Sequence, residues 1–151
     1  MRRRKRVPTD GFEHFRFTVD AWYRAYLFEI NRHKWELAPH HHRESDALVV
    51  SGRLRGTTRR KFTHGELHLI PFFVRRDELS DKADRIGNVW VEKGKLCASA
   101  WIPADVYFSL PSTLASVAFA EMRVRIRDLR YNKGALDAID LSHDLIPLES
   151  D

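Results

Sequence analysis

Two stretches in the C-terminal half of this chain share one design, and it constrains the fold more than any other feature. In GNVWVEKGKLCASAW (87–101) and EMRVRIRDLRYNKGALDAIDLS (121–142), apolar-rich runs flank a Lys-Gly pair. Glycine supplies the positive φ of a two-residue hairpin turn, so both stretches read as β-hairpins. In the first, a two-residue loop sets Glu92 opposite Lys95, Val91 opposite Leu96 and Val89 opposite Ala98. In the second, it sets Ile126 opposite Leu141, Arg127 opposite Asp140 and Arg130 opposite Asp137. Between the hairpins, Val106, Leu110, Leu114 and Val117 recur at helical spacing after a Pro-Ala-Asp start, with Pro111 limiting the length. This predicts a short helix over about 104–118.

The N-terminal half reads as strands too. Phe15, Phe17 and Val19 alternate, as a strand entering a core requires. Residues 20–37 fit a helix capped by Asp20 with Trp22, Tyr26, Ile30, His33 and Leu37 in a stripe. They also fit a strand pair with Trp22, Tyr26, Phe28 and Ile30 on one side and NRHK as the turn, which the aromatic density favours. APHHHRESD reads as a polar loop opened by Pro39. In ALVVSGRLRGTT, a strand places Arg53 and Arg55 on one face and Leu54 on the other. ELHLIPFFVRR is a further strand with Pro71 at an edge or bulge, and RDELSDKADR is a charged connector. The expected fold is mainly β, an antiparallel sandwich or partly open barrel, with one short helix between two C-terminal hairpins. Residues 1–10 read as a basic flexible arm and 11–151 as a single β-rich domain.

Several function classes are excluded by pattern. Cys97 is the single cysteine among 151 residues, so there is no internal disulfide, redox pair or multi-cysteine zinc site. It sits among apolar neighbours, and a cytoplasmic setting follows. The opening RRRKR meets Pro8, Thr9, Asp10 and Glu13 where an export signal needs an apolar run. LCASAWIPADVYF is interrupted by Pro103 and Asp105, far short of the ~20 residues that span a bilayer, so no membrane insertion is expected. Neither a phosphate-cradling glycine loop nor a G-x-S-x-G elbow occurs, and no cofactor is implied.

THGELHLIPFF (63–73) holds nearly the residue set of the zinc-protease signature, but in the wrong order and ended by Pro71. As a strand it points His64, Glu66 and His68 to one side, with His40 and His42 of the PHHHR loop as further metal-ligand candidates. In residue types this set resembles a cupin metal site, although the cupin order of ligands and glycines is missing. HGE matches half of the zinc-deaminase signature, whose P-C-x-x-C is absent. An outward polar strand face accounts for all three side chains without a metal.

The basic clusters are the better clue. Residues 1–76 carry a net charge of +9 and residues 77–151 a net −4. Three groups stand out: RRRKR (2–6), RLRGTTRRK (53–61) and RVRIRDLR (123–130). Arg53, Arg55, Arg59, Arg60, Arg123 and Arg125 are the anion-binding candidates, and Trp22 and Tyr23 are candidates for stacking on bases. Arg2 and Arg6 share the R-x-x-x-R spacing of PilZ domains, whose second motif, D-x-S-x-x-G, is missing. The function expected is a non-catalytic binding module for nucleic acid or an acidic protein surface. The alternatives are a structural protein that forms homo- or hetero-oligomers through edge strands, and a metal-dependent enzyme using His64, Glu66 and His68.

Overall fold

The Lys93-Gly94 pair makes the turn its sequence demands: both residues have positive φ, 47° and 74°, and the strands on either side pair in the expected register, Glu92 with Lys95, Val91 with Leu96 and Val89 with Ala98. This hairpin belongs to a computed structural model that describes residues 11–30, 42–56, 58–73, 84–116 and 121–142. The strands are β1 (Phe12–Ile30), β2 (His42–Leu54), β3 (His64–Phe72), β4 (Gly87–Glu92), β5 (Lys95–Pro103), β6 (Glu121–Arg130) and β7 (Lys133–Ser142), with helix α1 (Ala104–Ser116) between β5 and β6.

The fold is mostly β, with the short helix where the periodicity put it. All seven strands form one sheet in the order β1-β2-β3-β5-β4-β7-β6, and β6 pairs back on β1, so the sheet closes on itself as an irregular ring. Of the two expected architectures, the described residues form the ring and not two stacked sheets. Every neighbouring pair is antiparallel except β3 with β5, which run parallel. Alternation along the strands fills the ring: Phe17, Leu48, Val50, Leu67, Leu69, Leu96, Ile126 and Leu136 are all buried in one apolar cluster. Pro71 lies where β3 has passed its last partner on β2, Leu48 opposite Leu69, so the missing N–H breaks no bond to that strand.

The second hairpin departs from its expected register. Its turn residues are Tyr131 and Asn132, both at positive φ, two positions before Lys133-Gly134. Ile126 consequently faces Leu136, Arg127 faces Ala135 and Arg130 faces Lys133, which replaces the expected Arg127-Asp140 and Arg130-Asp137 pairs. Asn tolerates the left-handed conformation, and a bulge at Asp128 absorbs the displaced residues. Beyond the bulge the pairing brings Arg123 opposite Asp140.

Residues 20–30 are strand, as their aromatic density favoured; the proposed NRHK turn lies outside the described residues. β1 turns at a bulge between Val19 and Ala21, leaves β6 and continues along β2 to Ile30. Residues 25–30 and 42–47 pair only with each other among the described residues, so this end forms a two-stranded arm. The HRESD part of the expected loop is thus strand. The arm is tied to α1 by Tyr107, which donates to Asp46, while Arg24 donates to the same carboxylate at 2.6 and 3.0 Å. Tyr107 and Leu114 are the helix residues that enter the core, whereas Val106 is exposed. Leu110 packs against the core and Leu114 enters it as expected, Tyr107 takes the place of Val106, and Val117 lies outside the described residues.

Candidate functional site

Alternation along β6 sends Val124 and Ile126 inward and Arg123 and Arg125 outward, and the same parity places Glu121 on the outer side. The register with β1 then sets Arg16 beside Arg123 and His14 beside Arg125. On the other side of β1, the Arg55 N–H donates to the Arg16 carbonyl at 2.7 Å, which brings the end of β2 to the same place. Three arginines thus converge on one acid. Arg16 donates to Glu121, Arg123 donates to it at 3.0 and 2.9 Å, and the Arg55 guanidinium stands 3.7 Å away.

The burial is asymmetric. The Glu121 side chain is 6% exposed, while those of Arg16, Arg55 and Arg123 are 55%, 52% and 50% exposed. The carboxylate is covered by the cations that it holds. Its hydrogen bond from Arg16 comes first among the influences that keep it below the usual glutamate range, with Arg123 adding to it, against the opposing effect of burial. Arg125 makes no ion pair among the described residues and lies with its guanidinium 5.5 Å from the centre of the Phe12 ring. With Asp140 facing Arg123 from β7, two negative charges sit among four positive ones, and the guanidiniums of Arg16, Arg55 and Arg123 remain half open to water. A shallow groove of about 310 Å³ runs between Arg16, Arg123, Arg125 and Asp140.

The other anion-binding candidates are placed differently. Arg53 is held by Asp20 at 3.1 Å, next to the cluster on β2. Arg60 is paired with Glu13 at 2.7 Å and donates to the Leu129 carbonyl, and Arg59 lines a separate shallow recess with Lys61. Of the six, Arg55, Arg123 and Arg125 join one face with Arg53 at its border, while Arg59 and Arg60 lie apart from it. Trp22 faces inward and packs on the core, so it presents no free ring; Tyr23 is 55% exposed on the outer surface. Arg16, His14 and Glu121 escaped the sequence reading, although Glu121 shares its parity with Arg123 and Arg125.

His64, Glu66 and His68 do line one outer face of β3. Glu66 accepts from Lys95 at 3.1 Å and meets His68 Nε2 at 2.6 Å, while His64 bonds Thr63 at 2.8 Å. Burial pushes the Glu66 carboxyl up, but Lys95 and His68 overcome this and hold it below its ordinary range. Among the described residues, no three His, Cys, Asp or Glu side chains are grouped so as to hold a metal ion. His40 lies outside the described residues, and His42 opens β2 seven positions from Val49, the partner of His68. Along a strand that separates the two backbone positions by ~23 Å. No described helix is long and apolar enough to cross a membrane. Compared with protein-family models, with curated proteins and with solved structures, the chain has no match.

Proposed function

We propose that this chain is a non-catalytic binding module that engages nucleic acid through the outer face of β2, β1 and β6. The observation that carries this reading is the convergence of Arg16, Arg55 and Arg123 on the buried Glu121, with Arg125 beside them. A buried carboxylate fixes the guanidiniums in place without cancelling their charge, so a phosphate chain meets cations whose ordering is largely complete before binding. Backbone contacts of this kind give affinity without base specificity. The reducing cytoplasm, where a lone buried Cys97 persists as a thiol, is the compartment we assign.

Fluorescence anisotropy of labelled oligonucleotides at low salt, competed by polyglutamate, tests it. Binding that weakens in an Arg123→Gln/Arg125→Gln variant and survives polyglutamate is the expected result. Absence of binding to any nucleic acid overturns the proposal, and equal binding of polyglutamate transfers the face to an acidic protein partner.

A second reading, self-assembly, is favoured by the arm. Tyr23, Tyr26, Leu27 and Phe28 are 55%, 56%, 41% and 58% exposed there, on a ribbon with open edges among the described residues. A second copy is the natural occupant, because an open antiparallel edge complements itself about a two-fold axis. A concentration-independent monomer in sedimentation would overturn it.

A further inference from the structure

The arginine row on β6 does not end at Arg125. Arg127 continues it and also forms one wall of a groove of about 660 Å³ on the outside of β4, β7 and β6. We infer that the module reads single strands, with one unstacked base seated in this groove against Trp90. The inference rests on the nucleic-acid reading above and specifies which form of nucleic acid it takes.

Local structure builds the groove. β4 and β7 pair only from Gly87 opposite Leu136 to Trp90 opposite Lys133. The small residues Gly134 and Ala135 floor the space next to this contact, and the Asp128 bulge in β6 bends its other side. The volume falls in the range of ~300–1,000 Å³ in which small organic groups are bound. Its lining is chemically mixed. Trp90 gives an aromatic surface, Asp128 gives acceptor oxygens, Lys133 and Arg127 give donors, and Asp84 is held through both oxygens by Arg85. A bare phosphate has no use for the carboxylates or the indole. A nucleobase has donors and acceptors on its edge and a π-face to stack, and so uses all three.

Arg127 is also left incompletely satisfied. It donates to the Asp84 carbonyl, but the Asp84 and Asp137 carboxylates are 3.8 and 3.6 Å away, beyond hydrogen-bond reach, and its Nε is buried without a partner. One hydrogen bond and two long ion pairs hold this guanidinium, and its Nε–H remains to be satisfied. Arg123, Arg125 and Arg127 follow one another at ~7 Å steps along the outside of one strand. A chain whose phosphates follow Arg123 and Arg125 arrives at the groove in register. A duplex keeps its bases paired and stacked, and cannot fill it.

The test uses the full chain with a single-stranded oligonucleotide and its duplex, reading anisotropy and tryptophan emission together. The expected result is at least tenfold tighter binding of the single strand, with saturable quenching that disappears in Trp90→Leu, and weaker single-strand affinity in Arg127→Gln. Equal affinity for the duplex, quenching that persists in Trp90→Leu, or unchanged emission on single-strand binding overturns the inference and leaves the module's nucleic-acid binding standing. Failure of both forms to bind overturns the underlying reading and this inference with it.

Discussion

Replacing Glu121 by Gln removes the charge that organises the arginine face while keeping the side chain's size. Glu121 is 5% exposed and accepts hydrogen bonds from Arg16 and Arg123, with Arg55 at 3.7 Å. A hydrogen bond involving a charged group contributes ~1.5–3 kcal/mol. Glutamine keeps one acceptor oxygen, and the half-exposed guanidiniums regain water once released, so the loss lies near the low end, about 2–3 kcal/mol in total. At ~2–4 °C per kcal/mol for a chain of this size, the melting temperature falls by roughly 4–12 °C. The pH dependence is equally specific. The folded-state pKa of Glu121 is depressed, mainly by Arg16, so its stabilisation is fully present above the ordinary glutamate value. It is lost as pH falls through the depressed folded value. The stability difference between the native chain and Glu121→Gln is thus constant from about pH 7 to about pH 5.5 and shrinks below about pH 4.3. Urea unfolding followed by circular dichroism across that range measures it. A variant within about 0.5 kcal/mol of the native chain at neutral pH, or a difference that ignores pH, would refute the reasoning.

Other perturbations probe the frame around the face. A Cβ on Gly52 would lie 1.8 Å from the Thr18 carbonyl oxygen, so Gly52→Ala forces β1 and β2 apart; it should cost more than ~3 kcal/mol, or leave no cooperative thermal transition. Tyr107→Phe removes one donor to Asp46 but leaves Arg24 in place; a loss of ~1 kcal/mol is expected, with faster amide exchange along residues 24–26. Burial, reinforced by Asp46, pushes the Tyr107 phenol up to about 12, so ultraviolet titration of the native chain should show a tyrosine that ionises only near that pH. Burial, with Glu66 and Glu92 adding to it, pushes the Cys97 thiol up to about 11; an aromatic disulfide reagent at mild alkaline pH should label the unfolded chain and spare the native one.

Local signals carried much of this fold, and long-range ones carried the rest. The first hairpin was legible to the residue, because Lys93-Gly94 offers one good turn and each strand one consistent face. The second offered two turns, Tyr131-Asn132 and Lys133-Gly134, and the choice fell to core packing of Ile126 against Leu136 and to a bulge that no local pattern announces. Residues 20–30 read equally as helix or strand by periodicity; their pairing with β2 settles the matter. Ring closure, and the parallel contact of β3 with β5, join segments far apart in sequence and leave no mark in either one. The site follows the same division. Arg123 and Arg125 were visible as an outward row, whereas Arg16 and Arg55 reach Glu121 only through the pairing of β1 with β6 and β2. Nor does the run EMRVRIR reveal that its acid is buried by its own counter-ions.

The measurement that bears most directly on the central claim is the salt dependence of single-strand binding. If Arg16, Arg55, Arg123 and Arg125 each displace counter-ions from a phosphate, the logarithm of the association constant falls against the logarithm of salt concentration with a slope near −2.8, at ~0.7 per contact. In Arg123→Gln/Arg125→Gln the slope should shrink in magnitude by about 1.4. A slope near zero in the native chain, or one that the double substitution leaves unchanged, would contradict the assignment of this face to a phosphate backbone.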